Sequence, residues 1–252
     1  MEPIPTSKIV EKIRQIEKRT HAYLPYHSMT LMVENYEIGY RMACRYLNRK
    51  SKVLDWGVGC GHFSVGLLEN GFDVYGFSLY EPKLYGRFIK GIKETFPDRF
   101  HYNFYDKALY HTNLPYEDNS FDAVFSIGVL EHVHEMGSDQ IDSMREIRRI
   151  LRPNGIFICT HFPNRYSLIE FLRKGHERKF GQHDISRLCE LSDMELLEYG
   201  RSSFLPRRIV TRLPVAVREN LVFRQIYSLA DRALSASLNN FCTNNHFCAR
   251  AV

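Results

Sequence analysis

Apolar positions along this chain follow two rhythms. Ile9, Ile13 and Ile16 fall four and three residues apart with charged residues between them, which predicts an amphipathic helix, and a second helical stretch runs from about Ser28 to Leu47. From residue 51 onward, short apolar runs alternate with helical segments. Strands are predicted at 51–55, 74–77, 100–104, 121–126 and 156–160. Helices are predicted at 62–70, closed by Asn70-Gly71, at 82–93, opened by Pro82, and at 141–151, closed by the Pro153-Asn154-Gly155 turn. Past residue 162 the rhythm loosens. Residues 194–199 read as a sixth strand and 246–252 as a last one. Between them, Pro214 to about Leu238 reads as one long helix with Val222, Ile226, Leu229, Ala233 and Ala236 on one face.

Strand–helix alternation over more than a hundred residues implies a parallel sheet with helices on both faces, and a ligand held beyond the carboxyl ends of its strands. The 44% hydrophobic and 25% charged composition of the 252 residues is that of an ordinary globular protein, and no run of eighteen apolar residues suggests a membrane span. The first residues lack the charged and apolar regions of a secretory leader, and the six cysteines include no C-x-x-C pair. The cytoplasm is therefore the expected compartment, without a zinc site or disulfide framework. Charge is unevenly spread. Residues 201–252 carry eight arginines against Glu219 and Asp231, which leaves the first 200 residues at −1 within a chain of net +5. That tail is either a solvated surface or a basic wall facing an anionic acceptor, with Arg207, Arg208 and Arg212 as its candidates.

The segment Val53-Leu54-Asp55-Trp56-Gly57-Val58-Gly59-Cys60-Gly61-His62 carries the most chemistry. Glycines at alternate positions let the chain turn sharply after a strand and approach a ligand with no Cβ in the way. The helix that follows points its N–H groups and positive dipole end at that ligand. A dinucleotide fingerprint, G-x-G-x-x-G, would need its third glycine at 62, which is His62. The D-x-G-x-G-x-G spacing instead resembles motif I of the class I methyltransferases that use S-adenosylmethionine (SAM). Two further blocks extend the resemblance: Leu114-Pro115-Tyr116-Glu117-Asp118-Asn119-Ser120-Phe121-Asp122, running on to Leu130-Glu131-His132-Val133, and Arg145-Glu146-Ile147-Arg148-Arg149-Ile150-Leu151-Arg152-Pro153-Asn154-Gly155. Both are similar to the small-molecule, methyltransferase type 11-like branch of that family, and together the three blocks cover roughly residues 50–162.

The resemblance implies an α/β fold: a Rossmann-like, seven-stranded, mostly parallel sheet whose last strand is antiparallel. It also implies a single domain over 1–252, with an N-terminal helical cap (1–48), a SAM-binding core (49–162) and an acceptor-side region with a helical insertion (163–252). SAM is the implied cofactor. The backbone of Gly57, Gly59 and Gly61 would wrap its methionine portion, with Asp55 near the amino group. Ser78 would face the ribose, Leu79 the adenine, Asp106 the adenine amino group, and Ile127 the methyl-transfer pocket. Ser78 departs from the usual carboxylate at its position. It forgoes charge-assisted hydrogen bonds of ~1.5–3 kcal/mol, although Glu81 lies three residues on and a hydroxyl here also resembles cyclopropane fatty acid synthases.

His132, after the fourth strand, is the candidate catalytic base for an acceptor hydroxyl, because its unperturbed pKa near ~6.5 permits proton acceptance at neutral pH. The competing reading has it packed and hydrogen-bonded at a helix start. His134 and His161 are further candidates near the strand ends, while His176 and His183 read as part of a polar loop or acceptor wall. Glu131-His132 also resembles metal-dependent relatives with an E-x-x-E-H set, but the first glutamate's place is Gly128, and no metal is expected. The [D/N]-P-P-[F/Y] motif of base-amino methyltransferases is replaced by Ser126-Ile127-Gly128-Val129, which argues against a nucleic acid substrate. The expected function is methylation, by O-methylation, of a polar, anionic or sugar-like small molecule. The alternatives are a cyclopropane-synthase-like lipid enzyme and a catalytically degenerate interaction module.

Overall fold

The structure, a computed structural model, describes residues 1–22, 29–79, 86–104, 112–173 and 176–252. Seven strands form one sheet: β1 (Lys52–Trp56), β2 (Asp73–Ser78), β3 (Phe100–Phe104), β4 (Phe121–Ile127), β5 (Leu151–Pro163), β6 (Met194–Ser202) and β7 (Asn244–Ala251). Their order is β3-β2-β1-β4-β5-β7-β6. The pairs from β3 through β5 are parallel, while β7 runs antiparallel to both β5 and β6. The expected seven-stranded, mostly parallel sheet is therefore present. The order reverses at β1, so β1 and β4 diverge at a switch point whose carboxyl end is the natural ligand crevice of such sheets.

Helices cover both faces. On one side α1 (Thr6–Thr20), α3 (Glu37–Tyr46), α4 (His62–Glu69) and α5 (Gly86–Thr95) bury Ile9, Ile13, Ile16, Tyr40, Val65, Phe88 and Ile92 against the sheet. On the other, α6 (Gln140–Ile150) and α8 (Gln182–Glu190) bury Met144, Ile147 and Ile185 with Leu54, Phe121 and Phe157. Alternate β1 residues thus enter opposite cores, Val53 one and Leu54 the other. A capping bond starts α6, where the Asp139 side chain accepts from Ile141 N.

Above the carboxyl edge of the sheet lies a third, smaller cluster. Met29, Leu31 and Met32, from the turn entering and within α2 (Thr30–Val33), pack against Val210 of α9 (Arg207–Val210) and against Leu213, Phe223 and Tyr227. The long helix expected from Pro214 is divided into α10 (Val215–Arg218) and α11 (Leu221–Ser237), because Asn220 caps a new start by accepting from Phe223 N. The expected apolar face of that helix does not face the protein: Val222, Ile226 and Leu229 are 61%, 63% and 71% exposed. The helix is held through Phe223 and Tyr227 and through buried polar pairs: Ser228 donates to Glu34 at 2.6 Å, and Asp231 meets Arg207 at 3.1 Å. Hydrophobic period locates a helix, but here the polar pairs chose which face turns inward.

Candidate functional site

The glycine loop leaves β1 and hangs from β2. Gly57 N and Val58 N both donate to Phe77 O, at 3.0 and 2.9 Å. Gly57, Gly59 and Gly61 all have left-handed φ, at 79°, 51° and 84°. Their surroundings differ. A Cβ on Gly57 would stand 2.3 Å from Val129 Cγ2, whereas one on Gly59 would meet nothing nearer than Gly57 O at 3.9 Å. Gly57 is required by packing, and Gly59 keeps an open cradle that a ligand can enter. Asp55, at 2% exposure, accepts from Ser64 Oγ in the first turn of α4 at 2.5 Å. Burial pushes its carboxyl up to about 7, with the Ser64 hydrogen bond pulling the other way.

Ser78 closes β2 and is buried, Leu79 packs on the second core, and Ile127 closes β4 against the first. These three and the glycine loop share the carboxyl edge of adjacent strands. Asp106 and Glu81 lie outside the described residues.

Beyond β4 the chain turns at Gly128 (φ 72°) into a short 3-10 turn over Leu130–His132. Val129 presses on Gly57 at its start, and Glu131 and His132 open onto a cleft of about 540 Å³. The cleft is also lined by His161, His176, Ile169 and Glu170 of α7 (Leu168–Arg173), by Asn35, by Ser203, Leu205, Pro206 and Arg207 after β6, and by Thr243 and Asn244 entering β7. Its volume falls within the range of small-molecule sites. His132 Nδ1 donates to Glu135 Oε2 at 2.8 Å, and His176 Nδ1 donates to Glu170 Oε2 at 2.7 Å. The two imidazoles stand 5.2 Å apart. The Glu170 hydrogen bond raises the pKa of His176. Glu131, 3% exposed, has Oε2 without a hydrogen-bond partner among the described residues, and burial pushes its carboxyl up to about 8.

His161 sits where β5 bulges against β7, with φ at 63°. Burial, with Arg207 and His246 nearby, pushes its pKa down to about 4 and keeps it neutral at pH 7. Arg207 reaches the cleft, but its charge is matched by Asp231 and it also donates to Leu31 O. Arg212 is exposed. The sequence points to His132, and to His176 as part of a polar loop or acceptor wall, and His176 does line this cleft; Glu135, Glu170 and Asn35 are not indicated by it. No local motif signals the pairs around these residues. The one available signal was the density of His and Glu after strands four and five.

Fold, glycine loop and edge cleft are similar to those of class I SAM-dependent methyltransferase domains. Residues 54–159 match the family model described as a methyltransferase domain. The sterol 24-C-methyltransferase ERG6B of Gibberella zeae is 29% identical over 174 residues, covering 59% of this chain and 44% of that protein. The chain thus spans less than half the length of that curated relative. Among solved structures, the [4+2]-cyclase SpnF superposes with TM-score 0.60 at 17% identity, covering 98% of this chain and 97% of that one. The 1,6-didemethyltoxoflavin-N1-methyltransferase of Burkholderia thailandensis, solved with its substrate and S-adenosylhomocysteine, gives 0.55 at 17%, covering 89% and 87%. SAM is the cofactor of this class, and the open face of Gly59 beside a buried acidic strand end fits it.

Proposed function

We propose that this protein transfers a methyl group from SAM to an oxygen of a polar small molecule held in the edge cleft. The observation that carries the reading is the 128–132 segment. It packs on the glycine loop through Val129 and lines the cleft with Glu131 and His132, so one short turn joins the cofactor loop to the acceptor site. When bound, the cofactor supplies an electrophilic methyl group on its sulfonium. The Gly57–Gly61 backbone holds the methionine portion, Asp55 faces the ammonium, Ser78 the ribose, and Leu79 the adenine. Ile127 borders the methyl. His132, its Nδ1–H committed to Glu135, offers the Nε2 lone pair to the acceptor hydroxyl and carries its proton. The N-terminal helices and α9–α11 meet above the cleft and exclude water from it.

The test is an incubation with methyl-labelled SAM and a polar metabolite extract, read by mass spectrometry. The expected result is S-adenosylhomocysteine together with a labelled O-methyl product. Gly59→Ala should lose SAM binding while remaining folded, and His132→Ala should bind SAM normally with turnover down roughly 10²–10⁴-fold. SAM binding with no label transferred would sink the reading, in keeping with a fold that also serves a protein named as a cyclase.

A lipid acceptor is the second reading. It is favoured by the sterol methyltransferase relative and by the exposed apolar side chains of α7 and α11, among them Phe171 at 76% and Leu172 at 79%. Micellar lipid as acceptor in the same assay separates the two.

A further inference from the structure

We infer that Glu131, His132 and His176 form a binding site for one divalent transition-metal ion on the floor of the cleft. One ligand atom from each lies within 4.8 Å of the other two. A bound ion would draw these atoms in to bond lengths of about 2.0–2.2 Å.

Three independent features of these side chains point to a cation. The first is the second shell. Both imidazoles are anchored at Nδ1 by a carboxylate, His132 by Glu135 and His176 by Glu170. A carboxylate accepts only, so each Nδ1 carries the proton and each Nε2 is left with a free lone pair. That carboxylate–histidine pairing is how proteins fix the tautomer and direction of metal-binding histidines, and here it occurs twice around one point. The second is Glu131. Its side chain is 3% exposed, and its Oε2, without a hydrogen-bond partner among the described residues, is open to a cation. The third is local charge. Glu131, Glu135 and Glu170 surround the two imidazoles, and the nearest arginine lining the cleft, Arg207, is already paired with Asp231.

Two imidazoles and a carboxylate suit zinc, manganese, cobalt or iron in preference to magnesium or calcium. The set leaves coordination positions open toward the cleft, where an acceptor oxygen would become a further ligand. The inference therefore deepens the proposed function and rests on its placement of the acceptor. With the ion bound, His132 Nε2 would serve as a ligand in place of the base, the ion would lower the pKa of a coordinated acceptor hydroxyl, and the proton lost on methyl transfer would pass to solvent.

The experiment is a calorimetric titration of chelator-treated protein with Zn²⁺, repeated with Co²⁺ followed by visible absorption. One equivalent per chain is expected, with cobalt bands characteristic of nitrogen and oxygen ligation. His176→Ala and Glu131→Gln should each weaken the site at least 10-fold, and Glu170→Gln, which removes the carboxylate anchor of His176, should weaken it 10–100-fold. Circular dichroism checks that each variant is folded, and Glu131→Gln preserves side-chain shape if His176→Ala is not. Absence of stoichiometric binding to the wild type overturns the inference, as does binding unchanged in both His176→Ala and Glu131→Gln. SAM binding measured on the same samples keeps the two readings apart. Normal SAM binding and methyl transfer without metal binding defeats the metal site alone. Stoichiometric metal binding without methyl transfer supports the site and defeats the proposed function.

Discussion

In the proposed function, the single buried carboxyl of Asp55 ties cofactor binding to pH. Its folded-state value of about 7 lies above the ~3.9 of an unfolded chain. The folded protein therefore binds this proton more tightly than the unfolded one. The contribution to stability is full below about pH 4, declines as pH rises, and is lost above about pH 7. A ligand ammonium beside Asp55 reverses the preference by favouring the carboxylate. SAM affinity should accordingly rise with pH through about 7 and level off above it, and Asp55→Asn should flatten the curve. Calorimetric Kd values between pH 6 and 8.5 decide this, and an affinity independent of pH in the wild type would remove Asp55 from the ammonium. Ser64 tunes the same group: without its hydroxyl, the midpoint should move upward.

At the scale of elements, α11 makes the sharpest claim. Its outward stripe contributes little to folding, so Ile226→Ser and Leu229→Ser should each stay within about 0.5 kcal/mol of wild type. Asp231→Ala removes the carboxylate partner of the half-buried Arg207 and should destabilise by ~1.5–3 kcal/mol. Denaturant midpoints for the three variants test the inverted face, and equal losses would overturn it. The same helix marks where sequence ceases to be legible. Strands β1 to β4, the centre of β5 and the helices α4 and α6 are readable because apolar period and Asn70-Gly71 are local signals, whereas 153–155, expected as a turn, belongs to β5. The glycine loop was readable because backbone conformation restricts residue type there. The inward face of α11 depends on Glu34 and Arg207, which are distant in sequence from the residues they hold, and no period encodes such a choice. The cleft is similar. His132 and His176 come from separate segments, and only the sheet edge brings them to 5.2 Å.

On the scale of the whole molecule, the two ends of the chain close over the same sheet edge. Arg14 of α1 meets Glu219 at 2.7 Å, Thr30 donates to the same carboxylate at 3.0 Å, and Ser228 reaches Glu34. These contacts tie the first helices to the insertion before β7 beside the cleft.

The position of β7 has a consequence for synthesis on the ribosome. β7 lies between β5 and β6, and β6 is joined to the sheet through β7. β6 is finished at Ser202, yet its neighbour begins at Asn244. At ~5–20 residues per second the nascent chain spends on the order of 2–8 s with that neighbour still missing. Throughout that interval one edge of β5, including the apolar run Ile156–Cys159, offers its hydrogen-bonding groups to any passing strand. A chain ending at residue 243 should therefore self-associate, while the full chain should not do so through this edge. Light scattering during cell-free translation of the two lengths would show it, and a truncated product that stays monomeric would mean that α8 or α11 shields the open edge until β7 arrives.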